Sequence, residues 1–270
     1  MNENKNKLLI SVIVPTFNRK DFLTQAIHSI LIQSYSNLEI IIVDNYSNYN
    51  FIELIKEFND KRIKAYQIPK IDHKGVIAHN RNYAVNKASG DFIAFCDDDD
   101  LWAKDKLERQ INLLAKTNSD FCFTGFDIIK SDNIIIKQIR LKFWQKSLSL
   151  SSFTFSLGYV CNSSVMIRRS LLEKIGILNE DPKLLAVEDY EYIYRIISQF
   201  KPVYIAESLV QYRIHDSRSS KVLIWDWFKK QLYLNTIILK NNKGNRITIA
   251  LKYLKITLKF ILLSLKVQKI

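Results

Sequence analysis

The sequence has few glycines and prolines and no long apolar run. Six Gly and four Pro among 270 residues exclude a collagen-like or low-complexity chain, and 47% hydrophobic with 25% charged residues is typical of a globular protein. No stretch has the roughly 20 uncharged apolar residues that a membrane-spanning helix needs. The N-terminal run LLISVIVPTF contains Pro15 and lacks a small-residue cleavage site, so it predicts a buried strand rather than a signal peptide.

Cysteine is also scarce. Cys96, Cys122 and Cys161 are odd in number, widely spaced and surrounded by apolar residues. This pattern fits neither a disulfide framework nor a zinc site. We expect three core thiols in a protein of a reducing compartment.

Acidic residues are fewer than basic ones, with 27 Asp and Glu against 40 Lys and Arg, a formal net charge of +13. The surplus favours an anionic partner and leaves nucleic acid, an anionic membrane surface and phosphorylated substrates open. A basic, solvated surface without any partner is the alternative.

The first hundred residues alternate apolar runs with segments of helical spacing. The runs LLISVIVP, LEIIIVDN, IKAYQIP and DFIAFC are separated by RKDFLTQAIHSILIQS, NYNFIELIKEFND and GVIAHNRNYAVNKAS. Continuous apolar strands alternating with amphipathic helices indicate a mostly parallel sheet with helices on both faces, which is an α/β fold. Residues 1–101 are therefore assigned to one half of this fold.

Residues 102–220 are predicted to form a second half that is continuous with the first, because no linker or repeat separates them. KDKLERQINLLAKT and EDYEYIYRIISQ have helical spacing, and DFCFTGFDII is typical of a strand. SSVMIRRSLLEKIG predicts a strand followed by a helix. An edge strand is expected within residues 132–153, and PVYIAESLVQYRIH is interpreted as a strand pair.

Residues 221–270 form a tail of different character. Lys252, Lys255, Lys259 and Lys266 make one basic stripe on a helix whose remaining surface is Leu, Ile, Phe and Tyr. This pattern is typical of an amphipathic helix lying in a membrane interface. The alternative is a helix that docks on the rest of the chain or on a second subunit. On the first interpretation the protein is cytoplasmic and attached to the inner face of the cell membrane.

Polar clusters follow three of the predicted strands. PTFNR comes after the first strand, DNYS after the second and DDDD after the fourth. Ligands of open α/β sheets bind beyond the carboxyl ends of the strands, at a switch in strand order. The three clusters are therefore expected to converge on one crevice.

The four consecutive carboxylates, Asp97 to Asp100, need neutralisation. Two carboxylates about 4 Å apart repel by roughly 4 kcal/mol at an effective dielectric of 20. Mg²⁺ or Mn²⁺ suits such oxygen ligands, together with water and substrate phosphates. An N-cap on the following helix is the alternative explanation. Both hold if Asp100 caps the helix while Asp97 and Asp99 face the crevice.

Four further residues are candidates for the chemistry. Glu188 and Asp189 begin a predicted helix, where a carboxylate either serves as a general base or stabilises the helix end. His215 closes a strand and enters a polar loop, which makes it a better ligand candidate than an isolated histidine. Arg81 is expected either to bind a phosphate with two nitrogens or to form a surface ion pair.

Taken in order, SVIVPTFNR, IIVDNYS, GVIAHNRN, DFIAFCDDDDLW, VEDYEYIYR and YRIH resemble the motifs of inverting family 2 glycosyltransferases with the GT-A fold. The resemblance extends from about Ser11 to Ser220. It implies a metal-dependent hexosyl- or N-acetylhexosaminyl-transferase that uses a nucleotide-diphospho-sugar. It also makes residues 1–101 the nucleotide-sugar half and residues 102–220 the acceptor half.

The resemblance also implies site residues. In the family's pattern the segment Pro15–Arg19, which includes Thr16, Phe17 and Asn18, binds the nucleotide with Asp44. Asn45 replaces a second aspartate and can still pair with a pyrimidine edge, so UDP is the expected donor nucleotide. The HNRNYA run departs from the family's A-R-N-x-G, and Arg81 aligns only if one extra residue is allowed.

The acidic motifs carry the remaining implied roles. Asp97, Asp98 and Asp99 correspond to the D-x-D motif, with Asp99 on Mn²⁺ or Mg²⁺, Asp97 in support and His215 beside the metal or diphosphate. Glu188 and Asp189 correspond to the E-D pair, with Asp189 as the base.

The composition and the basic tail favour a bacterial enzyme that transfers sugar to a saccharide or lipid-linked saccharide in the synthesis of a surface polysaccharide such as capsule or lipopolysaccharide. A sugar-phosphate nucleotidyltransferase is one alternative, although PTFNRKD lacks the glycines that its loop needs. A non-catalytic membrane-surface protein is the other, although all the motif carboxylates are present. Nucleic acid is not an expected partner, because the lysines of the tail lie among aliphatic residues.

Overall fold

The structure is a computed structural model that describes residues 8–71, 76–141, 158, 160–216 and 224–241. The predicted tail helix with its lysine stripe lies outside the described residues. In the part that is described, no helix is long and apolar enough to cross a membrane.

The first half is a parallel sheet with the order β3-β2-β1-β4. Its strands are β1 (Ile10–Thr16), β2 (Leu38–Asp44), β3 (Ile63–Gln67) and β4 (Phe92–Phe95). They alternate with the helices α1 (Lys20–Leu31), α2 (Phe51–Glu57) and α3 (Val76–Lys87). Every residue of β1 and β2 is buried, because both faces of this sheet are covered. The α/β prediction is confirmed.

The second half extends the same sheet in the order β4-β8-β6-β9-β5, and β7 pairs with β6. The strands are β5 (Leu101–Trp102), β6 (Phe121–Ile129), β7 (Ile135–Ile139), β8 (Met166–Arg168) and β9 (Val203–Arg213). The helices are α4 (Lys106–Thr117), α5 (Leu171–Ile175), α6 (Glu188–Ile197) and α7 (Ile224–Asn241), with 3₁₀ turns at Asn162–Ser164 and Pro182–Leu184. In this half only the β6–β9 pairing is parallel, so the sheet is mixed.

The predicted strand pair in PVYIAESLVQYRIH is wrong, because these residues form the single eleven-residue strand β9. Its register against β6 shifts around Gly125. A β-carbon on Gly125 would lie 2.7 Å from the carbonyl oxygen of Ala206, so only glycine permits this approach.

The N-cap expected at Asp100 is also wrong. The short strand β5 follows the aspartates directly, and α4 begins only at Lys106, with Asp105 at its N-cap position. Asp100 is completely buried. Its partners lie elsewhere in the fold, as described below.

Two apolar layers cover the sheet. Alternate residues of β1 divide between them, with Ile13 in one layer and Val12 and Val14 in the other. The three cysteines are buried and free, as expected. The carboxyl ends of β1, β2 and β4 are left open at one edge, where the polar clusters lie.

Candidate active site

A cavity of about 790 Å³ opens at the carboxyl ends of the parallel strands. Most of the predicted site residues line it: Pro15, Thr16, Phe17, Arg19, Asn45, Arg81, Asp97, Asp98, Asp99, Glu188 and Asp189. Asn18, Asp44 and His215 do not line it, although each contacts a residue or loop that does. The volume is within the range of small-molecule sites.

Asp97 is the aspartate of the loop that faces the cavity most openly, with a side chain 23% exposed. Its Oδ1 accepts hydrogen bonds from Nη2 of Arg81 at 2.7 Å and from Nδ2 of Asn162 at 3.2 Å. Its backbone N–H donates to Oγ of Ser163 at 2.9 Å. No described residue donates to its Oδ2, so this oxygen is available to a ligand of the cavity.

Asp98 ties the loop to the end of β1. Its Oδ2 accepts from Oγ1 of Thr16 at 2.7 Å, and its Oδ1 accepts from Nη1 of Arg19 at 2.8 Å. Burial raises the pKa of Asp98 to about 6, although Arg19 acts in the opposite direction. Asp98 therefore joins Thr16 at the end of β1 to Arg19.

Asp99 joins two basic side chains. Its Oδ2 accepts from Nη1 of Arg19 at 2.8 Å and lies 2.9 Å from Nε2 of His215. The imidazole of His215 packs against the ring of Phe22, with centroids 4.7 Å apart. The sequence-based prediction places His215 beside the metal or diphosphate, and the structure places its ring next to Asp99.

Asp100 belongs to the scaffold. Its Oδ1 accepts from the backbone N–H of Arg213 at 2.9 Å, and its Oδ2 accepts from Oγ of Ser163 at 2.5 Å. Burial and then the charges of Asp99 and Asp97 raise its pKa well above the usual value. Two donors in the interior, rather than a helix end, explain the fourth aspartate.

Arg81 connects the aspartate loop to helix α6. Nη2 donates to Asp97, and Nη1 donates to Oε1 of Glu188 at 2.8 Å. Only 4% of Arg81 is exposed. Burial alone lowers the pKa of Arg81, but the carboxylates of Asp97 and Glu188 outweigh it and raise the pKa. The surface ion pair considered for Arg81 is therefore replaced by a buried one.

Asp189 lies on the first turn of α6 and faces the cavity. The chain enters this turn through Ala186, whose φ of 65° is in the left-handed region that a β-carbon disfavours. Oδ1 of Asp189 accepts from the backbone N–H of Tyr190 at 2.8 Å. Burial and then the negative charge of Glu188 raise the pKa of Asp189 to about 7. A carboxyl that titrates near neutrality can exchange a proton with a substrate hydroxyl.

Asp44 is directed into the protein. Its Oδ1 accepts from Oγ of Ser47, and its Oδ2 accepts from the backbone of Ser47 and from Nε2 of Gln67 at 2.9 Å. It is completely buried, so it shapes the loop after β2 rather than lining the cavity. The same loop is held by Asn18, which accepts from the backbone of Asn48.

Asn45 presents its side chain differently. Its Oδ1 accepts from the backbone N–H of Ile71 at 3.0 Å, and its Nδ2 donates to the carbonyl of Ile71 at 3.2 Å. Phe17 also lines the cavity and is 40% exposed. An apolar ring and an amide are side chains that suit a planar base.

A metal ion fits only part of this donor set. Carboxylate oxygens and an imidazole nitrogen are the ligands that Mn²⁺ and Mg²⁺ sites use, and Asp97, Asp99 and His215 supply them. Among the described residues, however, no three His, Cys, Asp or Glu side chains are grouped as a metal centre. The guanidinium of Arg19 lies between Asp98 and Asp99 and neutralises both carboxylates.

Sequence reasoning missed Arg213, Asn80, Asn162 and Ser163. Asn80 lines the cavity and is 3% exposed, and its Oδ1 has no hydrogen-bond partner among the described residues. Arg213 stands two residues before His215 in YRIH, which was the one available signal for it. Asn162 and Ser163 lie in a 3₁₀ turn that composition and periodicity do not predict.

Comparisons with known proteins agree with this architecture. Residues 11–176 match the family model described as Glycosyl transferase family 2. The glycosyltransferase MJ1057 of Methanocaldococcus jannaschii, described as uncharacterized, is 30% identical over 247 residues, which are 89% of this chain and 81% of that protein. The UDP-Glc:alpha-D-GlcNAc-diphosphoundecaprenol beta-1,3-glucosyltransferase WfgD of Escherichia coli is 39% identical over 164 residues, which are 61% of this chain and 62% of that protein.

Solved structures share the fold. S. aureus TarS 1-349 in complex with UDP-GlcNAc superposes with a TM-score of 0.70 at 18% identity, covering 94% of this chain and 73% of that chain. The mannosyltransferase PcManGT from Pyrobaculum calidifontis, in complex with GDP-Man and Mn²⁺, gives 0.63 at 16% identity, with coverages of 90% and 68%. The fold is the GT-A fold that the motifs imply, and the chain belongs to glycosyl transferase family 2.

Proposed function

We propose that the protein transfers a sugar from a nucleotide-diphospho-sugar, UDP-linked, to an acceptor hydroxyl with inversion at the anomeric carbon. One observation carries the proposal. Arg81 donates hydrogen bonds to Asp97, which lies in the aspartate loop, and to Glu188, which precedes Asp189. The residues proposed for the donor diphosphate and for the general base therefore line one cavity. The UDP-Glc in the name of WfgD and the UDP-GlcNAc bound in the TarS structure support the donor class.

The donor lies along the carboxyl ends of the strands. Phe17 and Asn45 are proposed to hold the base, with Pro15 and Thr16 forming the adjoining wall. Arg19 is proposed to bind the diphosphate, since it lines the cavity and is positively charged. Asp44 and Asn18 act indirectly, by fixing the loop after β2 through Ser47 and Asn48.

Mn²⁺ or Mg²⁺ is proposed on Asp99, with Asp97 and His215 beside it. The Mn²⁺ named with PcManGT and the chemistry of these three side chains support this assignment. When bound, the ion supplies positive charge to the departing diphosphate. Arg19 and Arg81 supply positive charge to the same oxygens from the protein side.

Asp189 is proposed to take the proton of the acceptor hydroxyl. Glu188 accepts a hydrogen bond from Arg81, and the negative charge of Glu188 helps to raise the pKa of Asp189 to about 7. With a pKa of about 7, Asp189 binds a proton at pH 7 more strongly than an ordinary carboxylate does. The cavity aligns the hydroxyl with the anomeric carbon.

The acceptor is proposed to be a saccharide, free or lipid-linked, in the synthesis of a bacterial surface polysaccharide. Two names support this class of acceptor. That of WfgD contains a diphosphoundecaprenol-linked sugar, and TuaG of Bacillus subtilis is described as a putative teichuronic acid biosynthesis glycosyltransferase. The enzyme is then placed at the inner face of the membrane, with residues 1–101 serving the donor and residues 102–220 the acceptor. The basic tail of residues 221–270 is proposed as one attachment to that surface.

The test is a donor screen that measures release of nucleoside diphosphate from UDP-, GDP- and dTDP-sugars, with Mn²⁺ and with a chelator. We expect hydrolysis of a UDP-sugar that needs Mn²⁺ or Mg²⁺ and that is lost in Asp99→Asn. Conversion of a nucleotide sugar and added pyrophosphate to nucleoside triphosphate and sugar 1-phosphate would contradict the proposal, because that is the reverse reaction of a nucleotidyltransferase. Failure to bind or hydrolyse any donor would also contradict it.

A further inference from the structure

The β6–β7 hairpin carries three consecutive exposed isoleucines, one at the end of its turn and two at the start of β7. Ile134, Ile135 and Ile136 are 57%, 47% and 46% exposed, whereas the other large hydrophobics that the described residues expose are single. Burying an aliphatic side chain of this size is worth about 1.5 to 3 kcal/mol, so a contiguous exposed group of three marks a contact surface.

This apolar tip is held in place. Asn133 adopts a φ of 67°, and the turn closes through Asn133 N–H to Lys130 O and Lys130 N–H to Ile134 O, both 3.0 Å. Nη1 of Arg213 donates to Ser131 O at 3.0 Å and to Oδ1 of Asn133 at 2.6 Å. The isoleucines therefore follow a turn whose conformation is fixed by hydrogen bonds.

Both faces of the hairpin end are exposed. The register of β7 against β6 shifts between Ile128 and Ile129, so Ile136 is the extra residue of a β-bulge, and both Ile135 and Ile136 are in solvent. Residues 135–138 are all exposed, so a protein partner that docks on one face of this strand would leave the other face in water. Insertion into the boundary of a bilayer covers both faces at once.

The charges around the tip favour an anionic surface. Lys130 and Lys137 flank the isoleucines and are exposed, and the nearby carboxylate of Asp132 accepts the backbone N–H of Ile134 at 3.1 Å. Lysines at the edge of an apolar insertion bind lipid phosphates, and each adds about 1 kcal/mol at an anionic membrane. A lysine in a short edge strand also opposes the addition of another chain's strand to β7.

The hairpin also continues into the cavity wall. Lys137 and Ile139 of β7 and Phe126 and Ile128 of β6 line the cavity. An acceptor whose lipid part stays in the bilayer would therefore meet the cavity directly beside the inserted tip. The meeting of such an acceptor with the cavity rests on the proposed function, whereas the membrane contact does not.

We propose that the tip formed by Ile134, Ile135 and Ile136, with Lys130 and Lys137, is a membrane-docking element that inserts into an anionic bilayer surface. It presents the cavity to acceptors held in that surface. It is separate from the basic tail of residues 221–270.

The test labels the tip itself. An environment-sensitive fluorophore is placed on the full chain at Ile135→Cys, with Ile52→Cys, at a site 42% exposed on helix α2, as the matched control. The three native cysteines are buried, so they do not compete for the label. We expect the emission of the Ile135→Cys variant to shift to the blue on vesicles of phosphatidylglycerol and phosphatidylcholine, and to shift much less on phosphatidylcholine alone.

A second pair of variants measures the affinity for the same vesicles. Ile134→Ser, Ile135→Ser and Ile136→Ser together should weaken partitioning roughly tenfold or more. Ile32→Ser, Ile52→Ser and Ile177→Ser together remove the same atoms from isolated exposed positions, 58%, 42% and 41% exposed, and should change partitioning little.

Several results would overturn the membrane-docking proposal. These are an absence of a vesicle-induced shift at the tip, an equal shift at Ile52→Cys, equal losses in the two triple variants, or an emission change that follows protein concentration instead of lipid. Donor hydrolysis without vesicles is measured on the same proteins. If no variant turns over a donor, the proposed function fails, whereas the vesicle result still decides the docking element.

Discussion

The guanidinium of Arg213 donates from Nε to the carbonyl oxygen of Asp99 at 2.8 Å. The same side chain reaches the β6–β7 turn through Ser131 and Asn133 and helix α1 through Gln25. Its backbone N–H holds Asp100. One buried residue thus fixes the backbone of the aspartate loop to two other parts of the fold.

Arg213 is predicted to be a positioning residue for Asp99. Arg213→Met should lower kcat by at least about tenfold while the KM for the donor changes little. The carboxylate oxygens of the aspartate loop should move, whereas Phe17 and Asn45, which are proposed to hold the nucleotide base, should not. The free energy of unfolding should fall by about 2 to 4 kcal/mol, since buried acceptors lose a charged donor. Enzyme kinetics and urea unfolding measure the two effects.

Two controls separate positioning from general damage. Arg213→Lys retains the charge but not the planar fork, and it should recover stability more than kcat. Arg109→Met removes a partly exposed arginine on α4 that pairs with Glu207, and both quantities should stay within error. Equal losses of kcat and donor affinity in Arg213→Met would contradict the positioning role.

Removal of Arg81 is predicted to destabilise the protein strongly. Arg81→Met leaves Asp97 and Glu188 without their shared cation in a buried site, which costs about 3 to 5 kcal/mol of unfolding free energy. The double variant Arg81→Met with Glu188→Gln should recover part of that loss, because one buried charge is removed. Thermal or urea unfolding measures both. A loss below about 1 kcal/mol would show that the ion pairs contribute little.

The rate should rise with pH through neutrality. The pKa of Asp189 is raised from 3.8 to about 7, and a general base works only when deprotonated. The value of kcat/KM should therefore climb tenfold per pH unit below pH 7 and level off above it. Initial rates between pH 5 and 9 at saturating Mn²⁺ test this, with circular dichroism showing that the fold persists across the range.

The same raised pKa has a consequence for stability, with the sign opposite to that of a salt-bridged carboxylate. The folded state holds the Asp189 proton more tightly than the unfolded state, so this carboxyl destabilises the fold as pH rises from about 4 through 7. Asp189→Asn should therefore raise the melting temperature at pH 8 and change it little at pH 4. A lower melting temperature at pH 8 would contradict the raised pKa.

The parallel half of the fold was predictable because its signals are local. Continuous apolar strands such as Ile10–Thr16 and Leu38–Asp44 alternate with amphipathic helices, and the polar residues after them converge by topology alone. The interpretation of PVYIAESLVQYRIH as two strands failed because the bend lies in the pairing of β9 with β6 around Gly125. That shift depends on a partner strand about 80 residues away in the chain.

The candidate site was predictable by residue type more than by orientation. Asp97, Asp98 and Asp99 line the cavity as expected, whereas Asp44 and Asp100 have the same chemistry and point into the scaffold. Local spacing does not distinguish a carboxylate that binds a ligand from one that holds Ser47 or Arg213. Arg213 comes from a distant segment, 113 residues after Asp100, whereas Ser47 lies only three residues after Asp44 and its bond to that carboxylate is seen only in the three-dimensional structure.

The most direct test of the account compares Asp189→Asn with the wild-type protein in two assays on one preparation. Transfer, or release of nucleoside diphosphate from the preferred donor, measures the chemistry, and calorimetric titration of that donor with Mn²⁺ measures binding. We expect turnover to fall at least about a thousandfold while the donor Kd changes less than about threefold, since Asp189 acts on the acceptor proton. Near-normal turnover in Asp189→Asn would contradict it.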